Sequence, residues 1–219
     1  MTVEGMLGFE NAFGALRQFA RRRRNAEHCE LCSVELSSEH PHLLEPIGRN
    51  VLCACDACAL LFSGRAGAKF KRVPRNVRFL TNFQMTDAQW DSLMIPINMA
   101  FFFRSSPEGR TIAMYPSPAG AIESLLSLET WAEIVQDNPE LNAMDSDVEA
   151  LLVNRIGRTR GFSASEYYIL PIDECLKLVG LIRLHWKGFS GGTEVWHEIA
   201  RFFAELKKKA RVPGGGADA

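Results

Sequence analysis

Five of the six cysteines fall between residues 29 and 58, as Cys29-Glu-Leu-Cys32 and, twenty residues on, Cys53-Ala-Cys55-Asp-Ala-Cys58. Thiolates are soft anionic donors, and a two-residue gap lets one tight turn present both sulfurs to a single ion. Cys29/Cys32 facing Cys55/Cys58 closes a tetrahedral sphere, at a separation close to that of zinc ribbons. A segment of about 35 residues cannot bury enough apolar surface to fold alone. A structural zinc contributes on the order of 10–16 kcal/mol in small peptides, which offsets the missing core. The expectation is a zinc-ribbon or treble-clef-like module with Cys29, Cys32, Cys55 and Cys58 as ligands.

Four thiolates leave no coordination position for water, so the site reads as structural rather than hydrolytic. Three residues are near-site spares. Cys53 stands two from Cys55, which on a strand puts both on one face, so Cys53 is able to replace Cys55 as a ligand. His40 and His42 likewise share a strand face and read as polar residues or as hydrogen-bond donors to the thiolates. Iron in place of zinc gives the alternative of a rubredoxin-like electron-transfer protein. An HNH-like nuclease is a further alternative, on a knuckle, a histidine-bearing strand and a second knuckle entering a helix. Against it, Ala-Leu-Leu-Phe62 follows Cys58 where that chemistry needs another histidine.

The chain of 219 residues is long enough for this module and one ordinary domain. Residues 9–24 read as an amphipathic helix ending in Arg21–Arg24, a dipole-stabilising end or a patch for nucleic acid. Residues 28–73 are the module and a basic linker, residues 74–212 an α+β domain, and residues 213–219 a disordered tail. In the α+β domain, Thr86 or Asp87 caps a short helix through Leu93. Met99–Arg104 and Thr111–Tyr115 are strands joined by a Pro- and Gly-containing loop, and Tyr115-Pro-Ser-Pro-Ala-Gly120 is a rigid turn. Glu129–Asp137 is helical, Val148–Ile156 and Tyr167–Pro171 are strands, and two helices, Ile172–Trp186 and Thr193–Lys209, close the domain.

Formal net charge is −1, which excludes a strong whole-protein field for nucleic acid or anionic membrane. No secretory leader and no apolar run long enough to span a bilayer is visible, so a cytoplasmic protein is expected. In a reducing compartment clustered cysteines favour metal over disulfide. No Ser-His-Asp set, phosphate loop or dinucleotide fingerprint can be assembled. Cys175 lies on the apolar side of a helix and reads as a small hydrophobe. His185 and His197 stand beside tryptophans and read as packing or surface residues. Ser190-Gly-Gly192 reads as a turn before the last helix.

Several stretches together resemble an uncharacterised bacterial family of about this length. They are the cysteine groups with His40-Pro-His42-Leu-Leu, Ala100-Phe-Phe-Phe-Arg-Ser-Ser106, Tyr115-Pro-Ser-Pro-Ala-Gly120, Pro171-Ile-Asp-Glu-Cys175 and Trp186-Lys-Gly-Phe-Ser-Gly-Gly192. Genes of that family accompany actinobacterial-type nickel–iron hydrogenase clusters. The resemblance implies an accessory role in hydrogenase assembly or maturation, with a hydrogenase subunit or maturation factor as protein partner. It carries no catalytic residues.

Overall fold

The cysteine segment folds into a three-stranded antiparallel sheet and one short helix. In the computed structural model, which describes residues 27–65, 67–159 and 165–211, these are β1 (His42–Glu45), β2 (Asn50–Cys53), α1 (Asp56–Phe62) and β3 (Lys71–Arg72), with strand order β2-β1-β3. The tight β1–β2 connection places Arg49 at φ 54°. The basic stretch expected to be a linker instead supplies β3, and Phe70 beside it enters the module's core.

A six-stranded antiparallel sheet follows, in the order β4-β9-β8-β5-β6-β7. Its strands are β4 (Arg78–Phe79), β5 (Met99–Ser105), β6 (Arg110–Ser117), β7 (Gly120–Ser124), β8 (Glu149–Asn154) and β9 (Glu166–Pro171). β5, β8 and β9 occupy the middle and are buried at almost every position. Alternate side chains point to opposite faces of a strand, so a continuous apolar run means that both faces are covered. On one face Phe101, Phe103, Leu152, Tyr168 and Leu170 meet α5 (Ile172–His185) and α6 (Gly192–Lys209). On the other, Phe102, Leu151, Val153 and Ile169 meet Trp90 of α2 (Asp87–Ser92) and Trp131 and Ile134 of α3 (Leu128–Asp137). A single turn, α4 (Ile156–Thr159), follows β8.

Local chemistry sets these boundaries. Thr86 and Gln89 form a reciprocal capping box at the start of α2, and the Ser127 hydroxyl caps α3. Gly191 precedes α6 at φ 85°, where a Cβ would lie 2.8 Å from Val195 Cγ1. Only glycine fits there without strain.

Two expectations are corrected. Tyr115–Gly120 is not an isolated turn: β6 continues to Ser117, and β7, unforeseen, pairs with it from Gly120. Pro116 is tolerated because it lies beyond the β5 pairing, which ends at Met114, so a ladder bond on that side is not required of it. The strand expected to reach Ile156 stops at Asn154 and turns into α4. The expected helix at 9–24, the Arg21–Arg24 cluster and the tail from 213 lie outside the described residues.

The module is keyed into the larger domain by β1. Leu43 and Leu44, both buried, point to opposite faces: Leu43 joins Cys29, Cys58 and Phe70, whereas Leu44 joins the main core. Polar links reinforce this seam. Lys71 Nζ lies 2.6 Å from Asp147, and Arg49 pairs with Glu108 and Glu123 while lying over the Phe103 ring.

Candidate metal centre

Each cysteine pair sits in a knuckle made by backbone hydrogen bonds. At the first, Ser33 N–H donates to the Cys29 carbonyl at 2.7 Å and Cys29 N–H to Val34 at 2.8 Å, with Ser33 at φ 63°. At the second, β2 ends and the chain enters α1. Cys55 is the N-cap residue, its Sγ accepting from Cys58 N–H at 3.4 Å. The Glu30 N–H bond to the Cys53 carbonyl, 2.9 Å, holds the two knuckles together.

The result is a cluster of four sulfurs. Sγ atoms of Cys29, Cys32, Cys55 and Cys58 all lie within 4.8 Å of one another. Cys32 and Cys55 are 3.7 Å apart. That is far beyond a disulfide bond of about 2.05 Å. It matches the edge of about 3.8 Å that four 2.3 Å zinc–sulfur bonds impose on a tetrahedron. Burial raises the Cys29 thiol, but the backbone N–H groups of Cys55, Leu31 and Cys32 outweigh it and bring it down to about 6. Burial, and then the neighbouring sulfurs, push Cys58 up to about 12. Four sulfurs at this spacing become thiolates together only around a cation. The four residues fit a metal ion, and the cluster can bind one.

The near-site spares assemble elsewhere. Cys53, His40 and His42 form a separate group, one ligand atom from each within 4.8 Å of the others. The strand argument that tied Cys53 to Cys55 does not apply, since β2 stops at Cys53 and Ala54 is buried between them. The histidines do converge, with ring centroids 5.0 Å apart. Their Nδ1 atoms face oxygen rather than sulfur: His40 Nδ1 the Ser37 carbonyl at 2.9 Å, His42 Nδ1 the Asp173 carboxylate at 2.5 Å. Asp173 lies in the first turn of α5, 131 positions from His42, and no local spacing marks it as a partner. Beside this group lies a cleft of about 630 Å³ lined by Glu39, His40, His42, Arg75, Asp173 and Lys177 among others.

A family model described as a family of unknown function (DUF5947) matches residues 28–210. The chain belongs to this family. The match to DUF5947 takes in both cysteine pairs, the His40/His42/Cys53 group and all of α6. No curated protein and no solved structure matches the chain.

Two other sequence candidates have structural roles. Cys175 is fully buried, and burial raises its thiol well above the usual value. His185 pairs with Glu194 at 3.0 Å, and Trp186 donates to the Gly188 carbonyl. Among the described residues no helix is long and apolar enough to cross a membrane.

Proposed function

We propose that the protein is a non-enzymatic accessory factor whose N-terminal module is stapled by zinc at Cys29, Cys32, Cys55 and Cys58, and which works through contact with a protein partner. The observation that carries this reading is the four-sulfur group with its 3.7 Å edge. Four thiolates saturate a tetrahedral ion and leave it no position for substrate or water. The same centre positions α1, whose Leu60, Leu61 and Phe62 are 70%, 61% and 46% exposed. The metal thus holds out an apolar edge suited to a protein surface. The family resemblance supplies the partner class, a nickel–iron hydrogenase subunit or maturation factor.

The test uses the full chain isolated from its native host. Metal analysis should return zinc in a colourless protein. Iron with visible absorption would instead support a rubredoxin-like carrier. Affinity capture should recover a hydrogenase-related protein from wild type and markedly less with Leu60→Ser/Leu61→Ser. Recovery unaffected by that variant, or with no hydrogenase-related protein in it, overturns the partner part of the reading.

A further inference from the structure

Cys53, His40 and His42 take no part in the four-cysteine centre, and their chemistry is already arranged for a ligand. His40 Nδ1 lies 2.9 Å from the Ser37 carbonyl oxygen. A carbonyl only accepts, so the proton is on Nδ1. His42 Nδ1 lies 2.5 Å from Asp173 Oδ2, another acceptor. With each neutral ring protonated at Nδ1, both lone pairs are on Nε2. Imidazoles that bind metal are oriented in this way, by a carbonyl or carboxylate behind the ring.

Nε2 of His40 is buried and has no hydrogen-bond partner among the described residues, in a side chain only 6% exposed. Among the described residues no donor, the Cys53 thiol included, makes a hydrogen bond to it, so a pair between that thiol and His40 does not account for the cluster. A buried acceptor left unpaired costs free energy that a ligand would recover.

We propose that His40 Nε2, His42 Nε2 and Cys53 Sγ form a second metal site, which takes a late first-row divalent ion such as Zn²⁺ and leaves its fourth position open toward the adjoining cleft. The donor set selects the ion, since two imidazoles and a thiolate favour zinc and its neighbours over magnesium or calcium. Tetrahedral N and S ligands stand about 3.3–3.6 Å apart, and one ligand atom from each of the three residues already lies within 4.8 Å of the others. Asp173 behind one ring, and Glu27 at 3.5 Å from Nδ1 of the other, offset the added positive charge. Three protein ligands leave room for water or an exogenous donor, and the cleft of about 630 Å³ gives it access. The site does not depend on the four-cysteine centre being structural. It would make the protein a handler of exchangeable metal as well as a folded scaffold.

The test is titration of metal-stripped full-length protein with Co²⁺ and Zn²⁺. Two equivalents should bind. The first Co²⁺ should give strong thiolate-to-metal charge transfer from four sulfurs, and the second about a quarter as much, from one sulfur. Cys53→Ser and His40→Gln should each bind one equivalent and lose only the weaker increment, with the helical circular dichroism of wild type. On wild-type zinc protein, a colorimetric chelator should remove one equivalent at least tenfold faster than the other. One equivalent in wild type, unchanged in both variants, overturns the second site and leaves the four-cysteine centre standing. Two equivalents retained in both variants overturn the ligand assignment. Absence of the strong first band fails the four-cysteine reading alone.

Discussion

At Asp147 one side chain joins three parts of the chain. Its backbone sits at φ 73°, a region aspartate enters more readily than most residues. Its carboxylate, 3% exposed, accepts from Ser106 N–H at 2.7 Å and Ser106 Oγ at 2.6 Å and pairs with Lys71 Nζ. Burial alone would raise this carboxyl, but Lys71 and the two Ser106 bonds outweigh it and hold it below the usual aspartate value. A depressed native value contributes stability that is complete above the unfolded pKa, about 3.9, and drains away as pH falls through the folded value. Asp147→Asn should therefore cost about 2–3 kcal/mol at pH 7, the lower end reflecting the partly solvated Lys71. The gap between variant and wild type should narrow below about pH 4, as urea midpoints measured across that range will show. The cysteines make the complementary residue-scale case. Cys29→Ser removes a buried sulfur of the proposed zinc centre from the module core, so the module should unfold and lose the metal it holds there, while the helical dichroism of the main domain persists. Metal retained at full stoichiometry with native dichroism would show that Cys29 is not a ligand.

Among the elements, β1 joins the module to the main domain, because its two leucines belong to two cores. Leu43 and Leu44 are equally buried leucines, 0% and 3% exposed, yet their removal should read out differently. Each truncation to alanine is expected to cost about 2–5 kcal/mol. Leu43→Ala should act on the module, speeding metal release with little change in the tryptophan signal. Leu44→Ala should act on the main domain, where all four tryptophans lie, lowering the urea midpoint reported by their fluorescence. Identical effects of the two variants on both readouts would refute the division of cores. Helix elements were legible where a cap stands next to a periodic run, as at Thr86, and in the two closing helices. Strands β5 and β8 were legible from their length. β4 and β7 were not, because an edge strand needs only a few backbone bonds and carries no apolar pattern of its own.

For the whole molecule, the seam between module and main domain decides cooperativity. Leu44 and Val73 fill the main core from the module side, and His42, Arg49 and Lys71 tie into Asp173, Glu108, Glu123 and Asp147. Metal binding should accordingly stabilise more than the module. Chelation of the full chain is expected to lower the thermal midpoint seen by tryptophan fluorescence by several degrees, since a ligand held only by the native state raises stability by mass action. An unchanged midpoint after verified metal removal would mean that the module unfolds without the domain.

The sequence alone determined the four-cysteine cluster, the mixed α+β class and the closing pair of helices. Those features are written in short range, as knuckle spacing, caps and helical periodicity, where a few adjacent residues suffice. Tertiary structure decided the rest. It separated Cys53 from Cys55 by ending β2 between them, placed Asp173 behind His42 from 131 positions away, and left His40 Nε2 buried without a partner among the described residues. These depend on where distant elements pack. The physical reason is that a hydrogen bond or a ligand sphere is satisfied by whatever lies within about 3 Å in space, and chain order does not encode that distance.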